Sequence, residues 1–213
     1  MPLDSLQERI IRAALALPES RTLALAGGCA VITQGLVDRT THDVDLFTEV
    51  DADEATRVCA ALRATLARDG LRIEPALRPP HENRFVAVDP ASGTGTAVEV
   101  FPDGGRLRPP TLLALGPVLH PDDLAADKTL ALWGRAEPRD YLDVITLRER
   151  YGSTRLLELA AEKDRGFTVE TFIGALRSIR RLRAVDWADA GIDEKRVNTI
   201  NTAVKEWLIE LEG

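Results

Sequence analysis

The chain has 213 residues and a net charge of −7, with 45% hydrophobic and 29% charged residues; this is ordinary globular composition and excludes both a disordered chain and a generally basic nucleic-acid coat. Its two cysteines, Cys29 and Cys59, have no metal-type spacing, which excludes a disulfide framework and a thiolate zinc site and fits a reducing compartment. No apolar run approaches the ~20 residues that cross a bilayer, and Asp4, Glu8 and Arg9 stand where a secretion signal would be basic and then apolar, so a cytoplasmic protein without a membrane partner is expected.

In chain order, apolar Leu6, Ile10, Ala13, Ala14 and Leu17 recur at helical intervals and predict a helix over Leu3–Leu17, stopped by Pro18. Thr22–Ala26 suits a buried strand, Gly27-Gly28 break it, and Cys29–Leu36 read as a short apolar helix. Asp43–Thr48 alternate as a strand does. A helix capped by Asp51 or Asp53 runs through Arg68, with Val58, Leu62 and Leu66 along one side. Leu71–Leu77, Arg84–Val88 and Thr96–Phe101 read as strands, the last two flanking a hairpin-like turn over Asp89–Gly95. After a Pro/Gly-rich stretch, Pro102–Pro110, the pattern turns helical: Asp122–Arg135, Pro138–Tyr151, Ser153–Lys163, Val169–Leu182 and Asp193–Leu211. Strands first and helices second predict an α+β core, residues 1–115, followed by a helical subdomain, 116–213, with the seam between Phe101 and Pro121.

Gly27-Gly28 followed by Arg39-Thr40-Thr41-His42-Asp43-Val44-Asp45-Leu46 is the strongest chemical signal. Asp43 and Asp45, two apart on a strand, project from one face and repel each other unless a cation lies between them. Oxygen-only ligands select Mg²⁺ or Mn²⁺, which bind through a few carboxylates plus substrate phosphates. Gly-Gly at a strand-to-helix turn lets backbone approach a phosphate. Otherwise the two aspartates lie on the solvated face of an edge strand and the glycines form a plain turn.

Glu99, inside Ala97–Phe101, is either a third metal ligand or the polar face of a half-exposed strand. Lys128 shares a helix face with Leu124 and Leu132; it either snorkels to water or meets an anion such as a triphosphate tail. Asp140, behind Pro138 at the next helix start, either favours that helix terminus or pairs with Lys128 and orients reacting groups. Arg139 and Asp143 read as a surface pair. Residues 148–183 hold nine basic and five acidic side chains, either a solvated face or a track for an RNA backbone. His42, His81 and His120 have no ligand spacing, and Trp133, Trp187 and Trp207 read as core anchors.

Taken in order, Ala26-Gly27-Gly28-Cys29-Ala30, the Arg39–Phe47 segment, Glu99, Leu124–Leu132 with Lys128, and Pro138-Arg139-Asp140-Tyr141-Leu142-Asp143 resemble the nucleotidyltransferase AbiEii/AbiGii toxin family, within the nucleotidyltransferase-fold superfamily. The resemblance covers roughly residues 20 to 150; beyond that it is only to a helical pattern. It implies a mixed β-sheet flanked by helices, with the helical subdomain completing the active-site cleft. It also implies Mg²⁺-dependent transfer of a nucleoside monophosphate from an NTP to an acceptor hydroxyl, tRNA or other RNA among the candidates, and a role as the toxin of a toxin–antitoxin pair with a cognate antitoxin. Carried onto this chain, Asp43, Asp45 and Glu99 are the expected metal ligands, with Gly27, Gly28, Arg39, Thr40 and Lys128 at the nucleotide phosphates. Asp140 is expected to orient Lys128 or the acceptor. Two departures stand out: Gly28 lies where many superfamily members carry serine, and Glu99 where aspartate is frequent. The alternatives are a catalytically lapsed nucleotide- or antitoxin-binding module, and a glycosyltransferase using its Asp-x-Asp pair, which leaves the Gly-Gly turn unexplained.

Overall fold

A computed structural model describes residues 3–49, 51–76, 83–102 and 105–213. Leu77 at the end of an expected strand, His81, and two residues of the Pro/Gly-rich stretch lie outside the described residues. The chain divides into two compact units, Met1–Leu124 and Ala125–Gly213.

In the first unit the described strands are β1 (Ala24–Ala26), β2 (Asp43–Thr48), β3 (Arg72–Pro75), β4 (Arg84–Val88), β5 (Gly95–Pro102), β6 (Thr111–Leu113) and β7 (Gly116–Val118). They make one mixed seven-stranded sheet in the order β3-β4-β5-β2-β1-β7-β6. β2 pairs parallel with β5 and antiparallel with β1, so it lies at the centre of the sheet. The edge-strand reading of Asp43 and Asp45 is thereby overturned. Among the described residues three α-helices precede β3: α1 (Ser5–Leu15), α2 (Gly27–Thr33) and α3 (Ala52–Arg68). α1 opens on a reciprocal capping box between Asp4 and Gln7. It buries Leu6, Ile10, Ile11 and Ala14, while α3 buries Ala55, Val58, Cys59, Leu62 and Leu66. The apolar face of the sheet, with Val44, Leu46, Phe85, Val98 and Val100, supplies the matching core.

Several local expectations are corrected. Ser20–Thr22 form a 3₁₀ turn, so β1 starts only at Ala24. Gly27 and Gly28 open α2 instead of merely breaking the strand, and the helix closes at Thr33. It closes there because Gly35 takes φ +65°, and the Leu36 and Gly35 amides donate back to the Val31 and Ile32 carbonyls. β6 and β7 are three residues each, too short for a periodicity signal, and Gly116 and Pro117 disguise them further.

From Ala125 on, the chain is helical. The helices are α4 (Pro121–Gly134, beginning in the first unit), α5 (Pro138–Tyr151), α6 (Ser153–Lys163), α7 (Val169–Arg177), α8 (Ala184–Asp189) and α9 (Glu194–Glu212). The second unit is built round aromatic contacts: the ring centroid of Phe172 lies 5.1 Å from that of Trp207, edge-on, and 5.6 Å from that of Phe167, tilted, and Phe167 meets Trp133 edge-on at 5.6 Å. The single helix expected over Val169–Leu182 is broken. Its end is a 3₁₀ turn, Ser178–Arg181, and Asp186 then caps a new helix by accepting from the Arg183 amide at 2.7 Å. In the basic run, Arg148, Arg155, Lys163, Arg177 and Arg183 are ion-paired to Glu210, Glu158, Asp127, Glu212 and Asp186. Much of its positive charge is therefore answered within the second unit. No described helix is long and apolar enough to cross a membrane.

Candidate active site

The chemistry-bearing residues of the first unit gather on the polar face of β2 and β5. Along β2, Val44 and Leu46 are buried while Asp43, Asp45 and Phe47 are half-buried on the other face. Register places Asp45 beside Glu99 and Phe47 beside Phe101. Partners across a sheet point to the same face, and the rings of Phe47 and Phe101 meet edge-on at 5.8 Å. Asp43, Asp45 and Glu99 thus share one face, as the sequence predicts.

Gly27 explains the glycine turn. It ends β1 with φ +59°, and a Cβ there would lie 1.8 Å from Asp45 Oδ2. The missing side chain is what lets the carboxylate sit against the β1–α2 turn. Gly28 is equally constrained: its Cβ would lie 2.3 Å from Thr41 Oγ1. That hydroxyl donates to Asp43 Oδ1 at 2.7 Å, and the Thr41 carbonyl accepts from Gln7 Nε2 at 2.9 Å. Cys29 Sγ donates to the Asp43 carbonyl at 3.1 Å. Burial pushes the Cys29 thiol up, and the nearby Asp45 and Asp43 charges push it further, with Arg39 opposing them. Cys29 therefore stays a neutral donor. Arg39 is buried and donates to the Thr40 carbonyl at 2.8 Å, whereas Thr40 itself is exposed.

Glu99 is a polar-face residue with a partner the sequence did not reveal: Arg84 of β4 lies opposite it in register, 3.6 Å from Glu99 Oε2. Among the described residues no three His, Cys, Asp or Glu side chains stand close enough to form a three-ligand metal cage. What is present is an all-oxygen pair, Asp43 and Asp45, over a glycine cradle. This donor set fits a hard divalent cation that takes one or two carboxylates and completes its shell with water and phosphate oxygens.

The second unit corrects two pairings. Lys128 is buried, and its ammonium lies 3.1 Å from Asp143 Oδ2, a carboxylate that is fully buried. Asp140 does not pair with Lys128. It accepts from Arg135 Nε at 2.9 Å and Nη2 at 2.8 Å, and from the Glu137 amide at 3.0 Å, where it caps α5. The reason is helix geometry: Asp140 sits at the third position of α5 and folds back over its N-terminus, whereas Asp143, one turn later, points into the unit. The surface pair expected between Arg139 and Asp143 is corrected by the same finding. His120 also gains a role, its Nδ1 accepting from the Asp122 amide at 3.1 Å at the start of α4. Thr41, Gln7 and Arg84 were given no role by sequence reasoning, and Asp143 was given a surface one. Only Thr41 carried a usable signal, since it stands two residues before Asp43 and so on the same side of the chain.

The fold has counterparts among solved structures. The chain aligns with JHP933 from Helicobacter pylori at a TM-score of 0.56 and 13% identity, covering 99% of this chain and 95% of that one. It aligns with MenT4, a nucleotidyltransferase toxin from Mycobacterium tuberculosis H37Rv, at 0.52 and 15% identity, covering 94% and 91%. At such identities the likeness shows a shared fold. No curated protein matches the sequence. Residues 9–195, however, match the profile of the nucleotidyl transferase AbiEii toxin of type IV toxin–antitoxin systems, and the chain belongs to that nucleotidyltransferase family.

Proposed function

We propose that the chain transfers a nucleoside monophosphate from an NTP to an acceptor hydroxyl and releases pyrophosphate, acting in the cytoplasm as a toxin held in check by a cognate antitoxin, with RNA, tRNA included, as the acceptor class. The observation that carries the reading is the pair Asp43 and Asp45 at the centre of the sheet, with Asp45 seated against Gly27. Two carboxylates on one face favour a cation beside them, and the missing side chain at Gly27 is what lets Asp45 sit against the β1–α2 turn. Asp43 and Asp45 would hold Mg²⁺ or Mn²⁺ together with the triphosphate. Glu99 is the carboxylate for a further ligand position, in competition with Arg84. The bound ion would supply Lewis-acid stabilisation of phosphoryl charge and a more acidic attacking hydroxyl.

The chain's own groups do the rest. The Gly27 and Gly28 amides donate to phosphate oxygens, and Arg39 and Thr40, just ahead of Asp43 in sequence, are the further phosphate contacts of this reading. For Lys128 we propose neutralisation of charge on the leaving pyrophosphate; the buried contact with Asp143 supports it by holding the side chain in one place. Asp140 supports the start of α5 through Arg135, leaving an effect on the acceptor as its proposed part in catalysis.

The test incubates the purified protein with Mg²⁺, each α-³²P-labelled NTP in turn, and total cellular RNA and protein. Labelled RNA from one NTP, lost in Asp43→Asn, is the expected result. Label that persists in Asp43→Asn would overturn the site, and label in protein would overturn the RNA acceptor. Nucleotide binding without pyrophosphate release would favour the lapsed binding module.

A further inference from the structure

An aspartate's carboxylate rotates about a broad, two-fold torsion, so rotamer preference alone does not aim its oxygens. Asp43 is aimed by a neighbour. Thr41 Oγ1 donates to its Oδ1 at 2.7 Å, the length of a charge-assisted bond, and Thr41 is itself buried. Thr41 is held in turn: its carbonyl accepts from Gln7 Nε2, and Gln7, buried in the first turn of α1, is locked by its exchange of hydrogen bonds with Asp4. The hydroxyl also occupies the space that any side chain at position 28 would need, since a Cβ there would lie 2.3 Å from Oγ1 and 3.0 Å from Thr41 Cβ. Glycine at 28 and threonine at 41 are thus two halves of one arrangement.

We infer that Thr41 is a positioning residue: its hydroxyl orients the Asp43 carboxylate toward the divalent cation, and Gly28 is glycine in order to admit that hydroxyl. The inference rests on the metal reading proposed above and assigns no contact between Thr41 and substrate. Ligand-supporting groups of this kind change metal affinity by about ten- to a hundredfold when removed.

The probe is Mn²⁺ alone, with free ion measured by electron paramagnetic resonance and no nucleotide present. Thr41→Val, which keeps the shape and removes the donor, weakens Mn²⁺ binding about ten- to a hundredfold, while Thr41→Ser restores it. Gly28→Ser weakens binding in the unaltered background, because its Cβ expels Oγ1, and adds much less in a Thr41→Ala background. In turnover, Thr41→Val raises the Mg²⁺ concentration needed for half-maximal rate more than it lowers the rate at saturating Mg²⁺. Unchanged Mn²⁺ affinity in Thr41→Val, alongside its loss in Asp43→Asn, would overturn the inference and leave the metal site standing. Unchanged affinity in Asp43→Asn would overturn the metal reading, and the inference with it.

Discussion

At Gly27 two constraints coincide: φ is +59°, and Asp45 Oδ2 occupies the side-chain position. Alanine there adopts an unfavourable left-handed conformation, costing about 1–2 kcal/mol, and also pushes the carboxylate away. Gly27→Ala is therefore expected to lower the melting temperature and abolish nucleotidyl transfer together, measured by calorimetry and pyrophosphate release. Asp43→Ala separates the two effects. It relieves repulsion with Asp45 but also removes the acceptor of the Thr41 hydroxyl, so the melting temperature changes little while the transfer rate falls at least about a thousandfold. A large loss of stability with modest loss of rate would show Asp43 to be structural. Asp43 and Asp45 were legible from the alternation of one strand. Thr41 was not assigned a role because its hydrogen bond depends on how the chain turns into β2, and Arg84 was missed because its pairing with Glu99 depends on strand register.

Among the elements, α4 and α5 share a buried charge pair. Lys128 and Asp143 have side chains 11% and 1% exposed, so removing Asp143 leaves the Lys128 ammonium in a poorly solvated place. Asp143→Ala is expected to destabilise the protein by about 3–5 kcal/mol, and the double variant Lys128→Met/Asp143→Leu by much less, since an apolar pair leaves no charge unpaired. Chemical denaturation of the single and double variants checks this. Equal losses in both would mean that the ion pair is not the cause. Helical periodicity identified α4 and α5 and flagged Lys128 as anomalous on an apolar face. It misassigned the partner because Asp143, four residues from Arg139, read as half of a surface pair, whereas Asp140 is taken up by capping contacts with Arg135 and Glu137.

For the molecule as a whole, acid is the informative stress. Glu210 of α9 accepts from Arg148 Nη2 at 2.6 Å and from Ser153 Oγ at 3.0 Å, tying α9 to α5 and α6. The Arg148 guanidinium and then the Ser153 hydroxyl hold its carboxyl below the ordinary value of 4.5. A depressed folded-state pKa stabilises fully above the unfolded value and loses that contribution as pH falls through the folded one. The melting temperature is therefore expected to fall as pH drops below about 4.5, with a shallower slope in Glu210→Gln. Because Glu210 is half exposed, the effect is small, and an unchanged slope would assign acid sensitivity to other carboxylates. The order of strands before helices, the glycine turn, the carboxylate pair and the buried lysine could all be read along the chain, because each is a pattern of period two or 3.6 or a contact between near neighbours. The central place of β2, the three-residue strands β6 and β7, the pairing of Glu99 with Arg84 and the choice of Asp143 for Lys128 could not. They arise from segments brought together by burial of apolar faces, and a linear pattern records which residues turn inward but not what they meet there.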